Sequence, residues 1–227
     1  MLSFGPCSGL VTRARVMSAD SVEFPWTSAA SEPSHAYLLP MILELLRRHL
    51  PNGGRVLDVG SGNGSLTVRI AQAGYEVLGV EPSATGLALA RARFPAVRFE
   101  QGDGYDDLVG RFGVFDMVVS CEVIEHLMTP ATFLWRAREA TKPRGHIVVS
   151  TPYHGFLKNV AVAASGNWDH HHHPERDYGH VKFFSRATLA QVARDSGLRE
   201  VSFHRVGRIP PFAKSMVVAF KAAQTSH

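Results

Sequence analysis

A chain of 227 residues, 45% of them hydrophobic, is long enough to bury one sizeable core and too short for several domains of ordinary size. Its formal net charge of +4 comes from Lys and Arg spread along the chain without dense basic blocks, which argues against nucleic acid as a partner. Only Cys7 and Cys121 are present, so no disulfide framework is implied and a reducing, cytoplasmic compartment is expected, and no apolar run is long enough for a membrane span.

Residues 1–34 have few periodic apolar positions and many Ser, Ala, Pro and Gly, and read as a partly disordered segment to about Phe24. Arg13 and Arg15, with no acid before Asp20, faintly suit an organelle transit peptide, and the plainer reading makes Met17 the true start. Phe24-Pro25-Trp26 is the first apolar cluster, equally a lid over a ligand or simple packing. Residues 35–227 are expected to form one domain. It opens with an amphipathic helix over Ala36 to Leu50, apolar at Leu38, Leu39, Ile42, Leu45 and Leu46, with Arg47, Arg48 and a solvated His49 in the last turn.

Val56 to Val59 then reads as a buried parallel strand that runs into Gly60-Ser61-Gly62-Asn63-Gly64. Glycines at alternate positions allow a sharp strand-to-helix turn and close approach of a ligand to backbone, with the N–H groups of the next helix facing the same spot. A dinucleotide site needs G-x-G-x-x-G, but Ser65 stands where its third glycine would fall. Asp58, two residues before the first glycine, would repel a pyrophosphate and suits a ligand with an ammonium group, such as S-adenosylmethionine. A second strand over Tyr75 to Glu81 ends in an acid 23 residues after Asp58, placed to accept hydrogen bonds from ribose hydroxyls.

With the glycine turn and Glu81 in place, the sequence resembles the class I S-adenosylmethionine-dependent methyltransferases from about Arg55 to Phe220. A helix follows Pro82-Ser83 up to Phe94-Pro95, and a short strand over Val97 to Glu100 closes at Gln101-Gly102-Asp103-Gly104-Tyr105. The resemblance implies that Asp103 meets the adenine amino group, with the neighbouring backbone at Gly104 on the ring nitrogens; capping is the alternative role for Asp103. A fourth strand over Phe115 to Ser120 leads into Cys121-Glu122-Val123-Ile124-Glu125-His126-Leu127, an E-x-x-E-H-L run similar to that of ubiquinone-biosynthesis O-methyltransferases. Ligands of open parallel sheets sit beyond the carboxyl ends of the strands, so Ser120, Cys121 and Glu122 are expected at the methionine end of the cofactor. Glu125 and His126 read as first-turn helix residues that either reach the site or only cap and pack.

A helix over Pro130 to Thr141 and the turn Lys142-Pro143-Arg144-Gly145 precede a fifth strand, His146 to Thr151. The turn resembles the family's K-P-G-G, with Arg144 in place of the first glycine, a tolerable departure if only one position needs positive φ. The segment 152–184 is too long for an ordinary connection and reads as an acceptor-side insertion. It carries Tyr153, His154, Trp168, Asp169, the run His170 to His173, Glu175, Asp177, Tyr178 and His180, and its close, Gly179 to Phe184, resembles the ubiquinone-type members. A helix from Ser185 to Ser196 and strands near Leu198 to Val206 and Ser215 to Phe220 complete the domain, with the antiparallel strand expected at the edge.

The expected fold is therefore α/β: a doubly wound, seven-stranded, mostly parallel sheet whose last strand is antiparallel, in the order 3-2-1-4-5-7-6 that the resemblance implies. The expected reaction moves a methyl group from S-adenosylmethionine to a hydroxyl, or next an amine, of a small-molecule acceptor, leaving S-adenosylhomocysteine. Asp58, Gly60, Ser61, Gly62, Asn63, Gly64, Glu81, Pro82, Asp103, Gly104, Ser120, Cys121 and Glu122 are the cofactor candidates. A His is well suited to taking a hydroxyl proton near pH 7, and His180 is the first candidate base, followed by the His run, represented by His173, and by His126. A metal held by the His run with Asp169, Glu175 or Asp177 is the other reading of the insertion, but four successive His lack diagnostic ligand spacing, so no metal ligand is assigned. A cofactor-binding protein without turnover is the rival reading, the glycine spacing disfavours a nicotinamide oxidoreductase, and a monomer or homodimer is expected.

Overall fold

The computed structural model describes residues 32–175, 177 and 179–223, together with Trp26 and Ala30. Cys7, Met17, Phe24 and Pro25, and with them the expected N-terminal disorder, lie outside the described residues. Seven strands, β1 (Arg55–Val59), β2 (Glu76–Glu81), β3 (Arg98–Gln101), β4 (Phe115–Cys121), β5 (Thr141–Pro152), β6 (Leu198–Val206) and β7 (Ser215–Ala222), form one sheet in the order β3-β2-β1-β4-β5-β7-β6. β1 pairs in parallel with β2 and β4, and β7 pairs antiparallel with both β5 and β6. The strand order and the antiparallel last strand are those expected, but in that order β7 is internal and β6 forms the edge, so the antiparallel strand is not the edge strand. Composition explains this correction: β7 is buried from Ser215 through Phe220, whereas β6 carries Arg199, Glu200, His204 and Arg205 and tolerates an open side.

Successive residues of a strand point to opposite faces, so each central strand feeds two cores. On one face Val56, Met117, Val119, Val148 and Val217 pack with Leu38, Ile42, Leu45 and Leu46 of α1 (His35–His49) and with Leu66 and Ile70 of α2 (Ser65–Gln72). On the other, Leu57, Val118, Val149, Val218 and Phe220 meet Phe133, Leu134 and Ala137 of α5 (Pro130–Glu139) and Leu189 and Ala193 of α8 (Arg186–Asp195). Leu87 and Ala90 of α3 (Ala84–Arg93) cover Phe99, and a short α4 (Leu108–Phe112), not anticipated from the sequence, buries Leu108. Ser185 opens α8 with a reciprocal cap: its hydroxyl accepts from Thr188 N at 3.3 Å while Thr188 Oγ1 accepts from Ser185 N at 2.9 Å.

Two local expectations change. His49 is not a solvated end residue, since its ring stacks on His146 of β5 with centroids 3.7 Å apart. In the Lys142–Gly145 turn neither Arg144 nor Gly145 has positive φ. Strand pairing jumps from Phe115–Thr141 to Met117–His146, so the four residues bulge from β5. A Cβ at Gly145 would stand 2.7 Å from the Asp116 carbonyl oxygen, so close approach is what requires glycine there. The segment 152–184 holds α6 (Phe156–Ala164) and α7 (Trp168–His172), so it is a folded cover at the carboxyl end of β5.

Candidate cofactor and acceptor site

The turn after β1 is held by β2: Gly60 N and Ser61 N both donate to the Val80 carbonyl, at 2.8 and 3.0 Å. Gly60, Gly62 and Gly64 all have positive φ, at 78°, 55° and 78°, which explains their spacing directly. Gly64 caps α2, where a Cβ would stand 2.7 Å from Phe99 Cζ and 2.9 Å from Ala90 Cβ. Glu81 Oε2 accepts from Gly62 N at 2.7 Å and Oε1 from Ser83 N at 3.1 Å, fixing the acid beside the turn. Burial raises its pKa, and the bonds from Gly62, Ser83 and the Trp26 side chain oppose that rise. Asp58 is buried with Oδ2 accepting from Thr67 Oγ1 at 2.7 Å.

Trp26 lies on this turn. A Cβ at Gly62 would stand 2.8 Å from Trp26 Cη2, one at Gly86 2.7 Å from Trp26 Cδ1, and Trp26 N donates to Thr85 Oγ1 at 3.1 Å. Asn63 Nδ2 donates to the Ala30 carbonyl at 2.8 Å, a second tie to the N-terminal segment. The indole therefore covers the glycine turn and shares Glu81. Among the other cofactor candidates, Ser61 is buried, its hydroxyl without a hydrogen-bond partner among the described residues, and Pro82 follows Glu81 at the end of β2. Asp103 Oδ1 accepts from Tyr105 N at 2.7 Å and Asp106 N at 3.1 Å, so one of its oxygens caps the turn after β3. Gly104 faces Phe133, 2.6 Å from where its Cβ would be, so packing accounts for that glycine. Ser120 Oγ donates to the Val59 carbonyl at 2.9 Å, joining β4 to β1 with its hydroxyl spent.

Beyond β4 the chain turns through Glu122, a non-glycine residue at φ 55°. Its carboxyl accepts from Ser150 Oγ at 2.8 Å and Ser215 Oγ at 3.1 Å, and burial raises its pKa. Cys121 is half-buried, and burial, Asp58 and Glu122 push its thiol well above the ordinary value. Glu125 and His126 sit in a single turn of 3₁₀ helix, Ile124–His126, where an α-helical first turn was expected. Glu125 is fully buried; neither carboxyl oxygen reaches full hydrogen-bond geometry with a described residue, and the Thr151 hydroxyl is the side chain that favours its ionised form. Burial and then Glu122 drive its pKa well above the ordinary range.

The insertion returns to this spot. Val181 N and Lys182 N both donate to the Glu125 carbonyl at 2.9 Å, and His126 Nδ1 lies 3.2 Å from the Gly179 carbonyl oxygen. This clamp sets His180 edge-on to His126, centroids 4.9 Å apart. Burial and then His126, His172 and His171 lower the His180 pKa to about 4, a depression that solvent at the exposed edge of the ring moderates. Glu125, His126 and His180 bring ligand atoms within 4.8 Å of one another, a grouping hidden in sequence because 54 positions separate His126 from His180. His173 goes elsewhere: it ends α7 and pairs with Glu175 at 3.1 Å. Its neighbours His171 and His172 instead line, with His154, Lys158, His180, Arg208 and Lys214, a cavity of about 280 Å³. Sequence reasoning missed Lys158, Arg208 and Lys214, which carry no motif and converge only through β7 and the loop before it.

A family model described as a methyltransferase domain matches residues 34–202. The chain belongs to the methyltransferase-domain family. It is an enzyme of the S-adenosylmethionine-dependent class, and S-adenosylmethionine is its methyl donor. The methyltransferase is 28% identical over 180 residues to the ubiquinone biosynthesis O-methyltransferase of Aromatoleum aromaticum, covering 76% of each chain. It is also 28% identical over 195 residues to that of Thiobacillus denitrificans, covering 83% of this chain and 84% of the relative. In fold it resembles the CcbJ methyltransferase of Streptomyces caelestis, with a TM-score of 0.66, 18% identity and coverage of 88% and 94%. Magnesium protoporphyrin IX methyltransferase of Synechocystis, solved with S-adenosylhomocysteine, gives a TM-score of 0.64 at 17% identity, covering 82% of each chain. No helix among the described residues is long and apolar enough to cross a membrane.

Proposed function

We propose that this methyltransferase moves the methyl group of S-adenosylmethionine to a hydroxyl of a small-molecule acceptor, with Glu125, His126 and His180 at the reaction centre. The observation that carries this reading is the grouping of the buried Glu125 carboxyl with the imidazoles of His126 and His180, ligand atoms within 4.8 Å of one another, at the carboxyl ends of β4 and β5. An amine acceptor reacts as a neutral nucleophile and has less use for such a group; a hydroxyl must lose a proton as it attacks. The relatives named as O-methyltransferases agree with oxygen as the acceptor atom.

Asp58 and Glu81 take the ammonium and ribose ends of the cofactor, and Asp103 keeps one oxygen for the adenine amino group. His180, whose imidazole is largely neutral at pH 7 even at its ordinary pKa of about 6.5, accepts the hydroxyl proton. The donor set of one carboxyl and two imidazoles also fits a divalent cation, and the buried Glu125 oxygens, without full hydrogen-bond geometry to a described residue, are the feature that fits it. Such an ion would supply an electrostatic lowering of the hydroxyl pKa. The enzyme is read as cytosolic and as a monomer or homodimer, with a small-molecule acceptor.

Substituting His180→Ala is expected to lower kcat by roughly 10² to 10⁴ while leaving S-adenosylmethionine affinity unchanged. With a direct base the acidic limb of kcat, expected below the pH 6.5 of a free imidazole, disappears and chelators do nothing. With an ion, chelation abolishes turnover and added zinc or iron(II) restores it. Wild-type kcat in His180→Ala across pH 4 to 9 removes the assignment.

A further inference from the structure

Resting on the acceptor reading above, we propose that the acceptor carries an anionic group, a carboxylate or a phosphate, bound by Lys158, Arg208 and Lys214 in the cavity that His180 borders. The cavity, about 280 Å³, lies near the lower end of ordinary small-molecule sites. Its wall holds three cationic side chains and four imidazoles but no carboxylate, with Pro152, Phe212 and Ala213 as the apolar part. It is therefore a basic chamber built for a small body with negative charge.

Lys158 makes the case sharper. It is only 9% exposed, and its one hydrogen bond among the described residues is a long 3.4 Å contact to the Lys214 carbonyl. No described carboxylate pairs with Lys158, Arg208 or Lys214. Glu122 is the acid whose field reaches Lys158, but its two oxygens are engaged by Ser150 and Ser215. An ammonium withdrawn from water without a counter-ion is costly unless a ligand supplies one. Lys158 comes from α6, Arg208 and Lys214 from the loop joining β6 to β7, and Tyr153 N also donates to the Lys214 carbonyl at 3.0 Å. The insertion and the last hairpin are thereby fastened together along one space, which Lys158 and Arg208 line while the Lys214 ammonium also lies 5.4 Å from the Tyr37 ring centroid, and His180 on the border of that space places the anion within one small molecule's length of the reaction centre.

Calorimetric titration of the full-length protein, loaded with S-adenosylhomocysteine at low salt, with benzoate, phenyl phosphate and the neutral benzamide tests this. At least one anion is expected to bind ten-fold or more tightly than benzamide; a lead for benzoate assigns a carboxylate, a lead for phenyl phosphate a phosphate. Lys158→Met, which keeps the buried stem, and Arg208→Gln should each remove most of that preference with S-adenosylhomocysteine affinity intact. If Lys158→Met does not fold, Arg208→Gln, at an exposed side chain, decides. Equal binding of all three probes, no measurable binding of either anion, or a preference that survives substitution overturns the proposal. Because no turnover is read, failure of the hydroxyl reading would appear separately, as anion binding without methylation of any hydroxyl acceptor.

Discussion

In the ammonium-binding role proposed for it, Asp58 would make cofactor binding depend on pH. Burial raises its pKa to about 7, against the Thr67 hydroxyl that favours the ionised form and with the Glu81 charge adding to the rise. Between about pH 4 and 7 the folded protein then holds a proton that the unfolded chain has released, so this group's contribution to stability falls as pH rises through that window. A ligand ammonium reverses the preference by favouring the carboxylate, so cofactor binding at pH 6 should release a proton. S-adenosylmethionine affinity is expected to rise about 3- to 10-fold from pH 6 to 8, with proton release measured by calorimetry in buffers of different ionisation enthalpy. Asp58→Asn should flatten that dependence, and equal wild-type affinity at the two pH values would take the ammonium away from Asp58. Glu81→Ala should weaken cofactor binding by about 1 to 3 kcal/mol. It also strands Gly62 N and Ser83 N, so its unfolding midpoint must be measured beside its affinity.

At the scale of elements, the strand-turn-helix of β1 and α2 was legible because every signal is local. A buried strand, three glycines with positive φ and the helix start lie within a dozen residues. Gly64→Ala should destabilise the protein by about 1 to 3 kcal/mol in denaturant titration, since the backbone is left-handed there and the new Cβ meets Phe99 and Ala90. A loss under a few tenths of a kcal/mol would mean that α2 shifts freely on β3. The insertion was legible only as an interruption. Its α6 exposes Phe156, Leu157 and Val160 and buries Lys158, the reverse of an ordinary amphipathic pattern, so periodicity gave no correct inward face.

Across the whole molecule, the imidazoles whose pKa burial lowers oppose acid. His146, 5% exposed and stacked on His49, has its pKa lowered to about 4 by burial and then by the charges of His49, Lys221 and Arg199. His154 is lowered to about 4, first by burial and then by Lys158. For a base with a depressed folded value the unfolded chain binds more protons between pH 6.5 and 4, so stability is lost as pH falls through that window. The raised acids Asp58, Glu81, Glu122 and Glu125 push the other way over part of the same range, so a difference between variants isolates the imidazole. His146→Phe, keeping a ring against His49, should lose about 1 to 2 kcal/mol less than wild type between pH 7 and pH 4 in urea unfolding. Parallel stability curves for the two proteins would place His146 in contact with water.

By itself the sequence determined the alternation of strands and helices, the glycine turn with Asp58 and Glu81, and, through its resemblance to a family, the order of the sheet. These follow from hydrophobic period, backbone freedom at glycine and charges fixed at strand ends, all of which act over a few residues. Tertiary structure decided the rest. It set His180 beside Glu125 through backbone bonds across more than 50 positions. It also sent His173 to Glu175 and gathered Lys158, Arg208 and Lys214 around one cavity. Long-range contacts of that kind depend on how helices and loops pack above the sheet, and local spacing carries no trace of them.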